Sequence, residues 1–365
     1  MTTITLLLLA CRAVPLAETP PIQDFELGQE EGAGNVVAVQ AWMDPSAYAS
    51  ERNYDTRLRG YLDEAQQRGW LQDDTLVVLP EQIASWLFLL GEPDRVINAE
   101  TAEQALRRMV PGHLVDYLAL TKDAPAEDPY QYALFALKAE SVADVWQRVS
   151  ASIAVDYGIT LFAGSAWLPG PELVDGQLQV DTTEPIRNVS FVVGPDGEIL
   201  GDLTMKVFPS SGEQLLVEPA DIADLRTIPT SLGEIAVLLG EDAWYPNAWR
   251  AIRDSKPVVA ISPYWSSPFG AWVDRWGGYS GFERPPDVPR EDEKELLLSE
   301  AFLAHGLPGR LSDHDVLEGV TVPLRGRLYD LGTDGAIIGV LGAVATEGPL
   351  VDAPVLLNLW LPQAS

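Results

Sequence analysis

This chain of 365 residues has one cysteine, three histidines and five lysines, and each scarcity closes off a class of function. A single thiol, Cys11, cannot make an internal disulfide, so pairing gives no reading of the redox compartment. His113, His305 and His314 are scattered, and only the stretch SDHDVLE (Ser312 to Glu318) sets acids beside a histidine. Neighbours in one loop rarely converge on an ion unaided, so that stretch reads as a solvated acidic turn, with no metal and no cofactor expected. No G-x-S-x-G elbow supports a serine hydrolase. EGAGN precedes a strand instead of following one, which removes it as a dinucleotide fingerprint. The 54 acids against 24 bases leave a formal charge of -30, which repels phosphates and excludes nucleic acid as a partner. An acidic, lysine-poor surface suits high ionic strength, where screening weakens self-repulsion.

Long apolar runs are also missing. Ile4 to Ala10 is far shorter than the roughly 20 residues of a spanning helix. Leu8-Leu9-Ala10-Cys11 resembles the lipobox of bacterial lipoproteins, in which the cysteine is lipidated and becomes the new amino terminus. On that reading residues 1–11 are a signal, Cys11 is the lipidation site, and the protein sits in the cell envelope on a lipid anchor. No basic residue precedes the run, as an export signal normally requires. The alternative is a cytoplasmic protein with a frayed apolar end. Residues 12–34, rich in proline and acid, read as a linker on either view.

What is present is ample for a core: 47% of residues are hydrophobic. From Asn35 onward β-branched runs alternate with amphipathic stretches, the pattern of a layered α/β domain over 35–365. Asn35 to Met43, Asp74 to Glu81 and Ile159 to Leu168 read as strands, Tyr54 to Trp70 as a helix, and 98–157 as a largely helical insertion. Pro195-Asp196-Gly197 and Thr333-Asp334-Gly335 are expected to turn hairpins, because Asp-Gly pairs accept positive φ. PVLLNLWLP is the final strand.

Three strand ends carry polar or special residues: TLVVLPE delivers Glu81, GDLTMK delivers Lys206 and IAVLLG delivers Gly240. Their order, spacing and flanks resemble the carbon-nitrogen hydrolase (nitrilase) superfamily. NVVAVQAW matches its opening strand, GPDGEILGDLTMKVFP its lysine hairpin, and GEIAVLLGEDAWYP its nucleophile elbow, with Gly233, Asp242 and Tyr245-Pro246 in place. The resemblance implies a four-layer α-β-β-α sandwich and pairing into a homo-oligomer. It assigns Glu81 as general base and Lys206 to the oxyanion. Glu213, seven residues after the lysine, would orient it, with some likeness to the apolipoprotein N-acyltransferase branch. Gly240 falls where the family has its nucleophilic cysteine. A thiolate forms the covalent acyl intermediate, and glycine cannot.

Glu241 beside it adds an acid to the site. The loop VVAISPYWSSPFGAWVDRWGGYSGF is too aromatic for a solvated loop. Tyr264, Trp265, Trp272 and Trp276, with Trp86 after Glu81, are expected to wall a small-molecule pocket. Three functions follow: a non-catalytic binding protein of the envelope that keeps the pocket, an amidase- or nitrilase-type hydrolase in which Glu81 activates water, or a structural envelope protein.

Overall fold

The computed structural model describes residues 14–266 and 268–363, so the segment ending at Cys11 lies outside it. In Asn35–Gln40 the side chains alternate: Val37 and Val39 pack under helices, while Val36 and Ala38 face a second sheet. With both faces covered, the strand is apolar almost throughout, as its sequence shows.

The first sheet has seven strands, in the order Gln23–Leu27, Val355–Trp360, Asn35–Gln40, Thr75–Val78, Thr160–Pro169, Ile186–Val193 and Ile199–Met205. The second has six, in the order Ile228–Thr230, Gly233–Val237, Val259–Tyr264, Gly319–Pro323, Ile338–Leu341 and Val344–Glu347. Val78, Phe162, Ile235, Ile261 and Val320 fill the space between the sheets. Helices Glu51–Gln67 and Ala139–Tyr157 cover the outer face of the first through Leu58, Leu62, Trp146 and Ile153. Helices Pro246–Ile252 and Leu298–His305 cover the second through Trp249 and Phe302. This is the expected four-layer α-β-β-α sandwich.

Residues 98–157 are largely helical, as expected, with Ala102–Met109, Leu114–Lys122, Pro129–Ala136 and Ala139–Tyr157, the last of which Gly158 ends in the left-handed conformation. Two local expectations differ. Residues 12–34 are not all linker: Gln23–Leu27 adds an edge strand parallel to Val355–Trp360, with Phe25 and Leu27 against the inter-sheet core. Thr333-Asp334-Gly335 turns no hairpin. The chain reverses instead at Tyr329-Asp330 and at Gly342-Ala343. Asp334 is held inward because Arg325, fully buried, requires an anion: Arg325 Nη1 donates to Asp334 Oδ1 at 2.6 Å, and Trp272 N donates to Oδ2 at 2.9 Å.

The loop that carries Glu81 docks on an irregularity in Thr160–Pro169, where the register shifts between Phe162 and Ser165. There Gln82 N donates to Ser165 Oγ at 2.8 Å and Ala84 N to Ser165 O at 3.1 Å. Gly164, at φ +76°, makes this approach possible, since a Cβ would lie 2.5 Å from Pro80 O and 2.4 Å from Ile83 Cγ2. Gly164→Ala is therefore expected to lower stability by about 2–3 kcal/mol. Urea unfolding measures it, and an unchanged midpoint contradicts this account of the loop.

Candidate functional site

Strands Thr75–Val78 and Gly233–Val237 end on the same edge of the sandwich, and the return strand Ile199–Met205 delivers Lys206 between them. The side chain of Lys206 is buried, and its Nζ is the hub of the site. It donates to Glu81 Oε1 at 2.9 Å and to the two oxygens of Glu213 at 2.8 and 3.0 Å, and it pairs with Glu241 as well. Glu81 is equally buried. Its Oε1 also accepts from Asn188 Nδ2 at 2.8 Å, and its Oε2 accepts from Trp265 N at 3.1 Å. Ser210 N donates to Glu213 Oε2 at 2.9 Å, fixing that carboxylate from the far side.

Gly240 begins a short helical turn, Gly240–Trp244, at φ +50°. A Cβ placed on it would lie 2.8 Å from both Lys206 Nζ and Glu81 Oε2, and 3.1 Å from Glu81 Oε1. The polar heads thus crowd the space a side chain at the elbow would need. Asp242 lies fully buried behind them and accepts from Val207 N at 3.0 Å and Phe208 N at 2.7 Å, which ties the elbow to the chain leaving Lys206.

One ammonium faces three carboxylates here. Burial is the largest influence on Glu81 and pushes its carboxyl up to about 8, against the lowering effect of Lys206 and with a further rise from Glu213 and Glu241. Glu241 is raised in the same way by burial, opposed by Lys206. Although 41% of its side chain is open, that residue lines the cavity floor, where aromatic walls limit hydration. Burial raises Asp242 to about 7 despite Lys206 and the two backbone donors. For Lys206, burial acts downward, but the three carboxylates together outweigh it and hold the ammonium well above its ordinary value. The upward shifts of Glu81 and Glu241 both favour protonation, so the coupled cluster is disposed to take up a proton more readily than ordinary carboxylates do.

A cavity of about 130 Å³ opens over the cluster, floored by Glu81, Gly240 and Glu241. Tyr264, Trp265 and Trp276 wall it as the sequence suggests. Tyr279, from the same aromatic loop, joins them, and Trp244, Tyr245 and Phe302 add to the wall without having been expected there, with Trp244 edge-on to Phe302 at 4.8 Å. Two expected wall residues lie elsewhere. Trp86 faces a different cavity, because the turn Ser85–Leu89 carries it to the other side of the Glu81 loop. Trp272 is buried behind the wall against Tyr264 and Phe302, and its indole donates to Glu347 Oε1 at 2.6 Å. Asn188 also escaped the sequence reading: it is one of three polar residues in its strand, beside Arg187 and Ser190, and nothing local marks it as the partner of Glu81. The assembled groups can bind, exchange a proton and orient a polar ligand, while the elbow itself offers no nucleophilic side chain.

No family model and no curated protein sequence matches this chain. Solved structures do. A double mutant of the amidase from Nesterenkonia sp. AN1 in complex with acrylamide aligns with a TM-score of 0.56 at 13% identity, over 92% of this chain and 93% of that one. Another mutant of that amidase, showing Michael addition of acrylamide at its active-site cysteine, gives 0.54 at 13%, over 90% and 93%. A carbon-nitrogen hydrolase from Helicobacter pylori G27 gives 0.54 at 15%, over 90% and 89%. The likeness runs through nearly the whole described chain, and the protein has the fold of the nitrilase-superfamily amidases and carbon-nitrogen hydrolases.

Proposed function

We propose that this chain is a binding protein built on the carbon-nitrogen hydrolase fold, taking a small amide or amine into the aromatic cavity without forming an acyl intermediate. The observation that carries the reading is Gly240: the elbow has no nucleophile, and Glu81 and Lys206 stand within 2.8 Å of where its Cβ would be. The acid-rich floor suits ligand N–H donors, and the surrounding rings favour a cationic or planar group. Retention of Lys206, Glu213 and Asn188 around Glu81 supports a pocket kept for recognition. Attack by a Glu81-activated water is the competing reading. Glu81 holding its proton to about pH 8 counts against a free base at neutral pH.

Acrylamide tests the missing step, with Cys11→Ser as background so that the native thiol does not react. The parent is expected to remain unmodified by intact mass, whereas Gly240→Cys gains one acrylamide. An adduct localised to the parent's elbow, or amide turnover by the parent that Glu81→Gln abolishes, contradicts the proposal.

The retained proton has a sign. A carboxyl raised in the folded state stabilises the fold fully below its unfolded value, near 4.5 for Glu81, and loses that contribution as pH rises through about 8. Stability is therefore expected to fall between about pH 4.5 and 8, with a slope from this proton approaching about 1.4 kcal/mol per pH unit. Glu81→Gln removes that component while leaving the general surface charge in place. Urea midpoints across this range should fall less steeply in the variant, and equal slopes refute the assignment.

A further inference from the structure

A second cavity, of about 370 Å³, lies on the other side of Trp265, between the Glu81 loop and the helical insertion. Its size falls within the roughly 300–1,000 Å³ of small-molecule sites. A continuous chain of rings lines it: Tyr329 to Trp86 at 6.3 Å, Trp86 to Phe88 at 5.6 Å, Phe88 edge-on to Phe135 at 5.6 Å, and Phe135 to Trp167 at 5.3 Å. Ala102, Ala105 and Leu106 from one insertion helix and Gln131 and Leu134 from another close it. In a chain with 54 acids, no charged residue lines it among the described residues, and Gln82, Ser85 and Gln131 are its polar members there apart from ring heteroatoms.

Two further features point to a ligand. Gln82 and Tyr329 are both left-handed, at φ +58° and +60°, and both line this cavity. A bulky residue held in that region is strained, and such strain gathers at ligand clamps. Trp167 and Trp265 bury Nε1 without a hydrogen-bond partner among the described residues, so neither indole is pinned by its donor and the wall can adjust.

We infer that this cavity binds an uncharged aromatic small molecule. Ring faces and edges at these spacings accept a further ring in stacked or edge-on contact. A charged ligand would lose its hydration with no counter-ion to meet it. This site does not depend on how the polar cavity is read, but the two adjoin: Trp265 lines both, and its backbone N–H donates to Glu81 Oε2.

Calorimetric titration at pH 7 with 2-naphthol, against 2-naphthoate as the charged counterpart, tests the assignment on the whole protein. Naphthol is expected to bind at least about tenfold more tightly than naphthoate. Ala105→Phe, which fills the cavity, should weaken naphthol by at least about tenfold, and Leu298→Trp, which narrows the polar cavity and does not line this one, should leave it bound. No naphthol binding at its solubility limit, or equal affinity for the two compounds, overturns the inference. So does naphthol affinity untouched by Ala105→Phe in a folded variant. Loss of naphthol binding in Leu298→Trp would place the ligand in the polar cavity and also overturns it. The neutral-to-anion ratio is read on the unmodified chain and stands even where Ala105→Phe does not fold.

Discussion

The buried ammonium of Lys206 is the constraint on which the site is built. Removed from water, it must be surrounded by anions, and Glu81, Glu213 and Glu241 supply them from three parts of the chain. Three carboxylates exceed one positive charge, so burial and mutual repulsion drive a proton back onto the group. The loop after Thr75–Val78, the end of Ile199–Met205 and the elbow at Gly240 are held in one place by that cluster. Asp242 adds a fully buried clamp between the elbow and the lysine strand. The sandwich provides rigid strand ends, and the charges decide how those ends meet.

Gly240 fits the cluster as it stands. A thiol-bearing side chain would press its Cβ against the lysine and glutamate heads, which have flexible stems and could retreat. The elbow is therefore closed around a glycine here, yet bounded by side chains that could yield to a larger residue. Trp265 connects this arrangement to the rest of the molecule, donating its backbone N–H to Glu81 while its ring separates the polar cavity from the larger aromatic one.

Much of this was legible because it is local. A proline-glutamate step after an apolar run, a lysine at the end of a hairpin strand and a glycine before Glu241-Asp242 each announce themselves within a few residues, and their order fixes the layers. Gln23–Leu27 was not legible, because its partner strand, Val355–Trp360, lies at the opposite end of the sequence. Asp334 looked like a turn residue until the buried Arg325 claimed it. Trp86 and Trp272 were expected in the wall of the polar cavity and lie elsewhere, because the face each one takes depends on a short turn and on neighbours brought in by other loops. Asn188 carries no local mark at all, since its role exists only once Glu81 is placed across from it.

The most direct measurement is a carbon-13 NMR titration of glutamate carboxyls in the unmodified protein, with the Glu81 signal identified by its loss in Glu81→Gln. A lysine shared among Glu81, Glu213 and the partly open Glu241 predicts that the Glu81 resonance titrates well above the ordinary carboxylate range, with a midpoint of about 8. A midpoint in the ordinary carboxylate range would mean that water or a rearranged Lys206 neutralises the cluster, and the closed site described here would not be the one in solution.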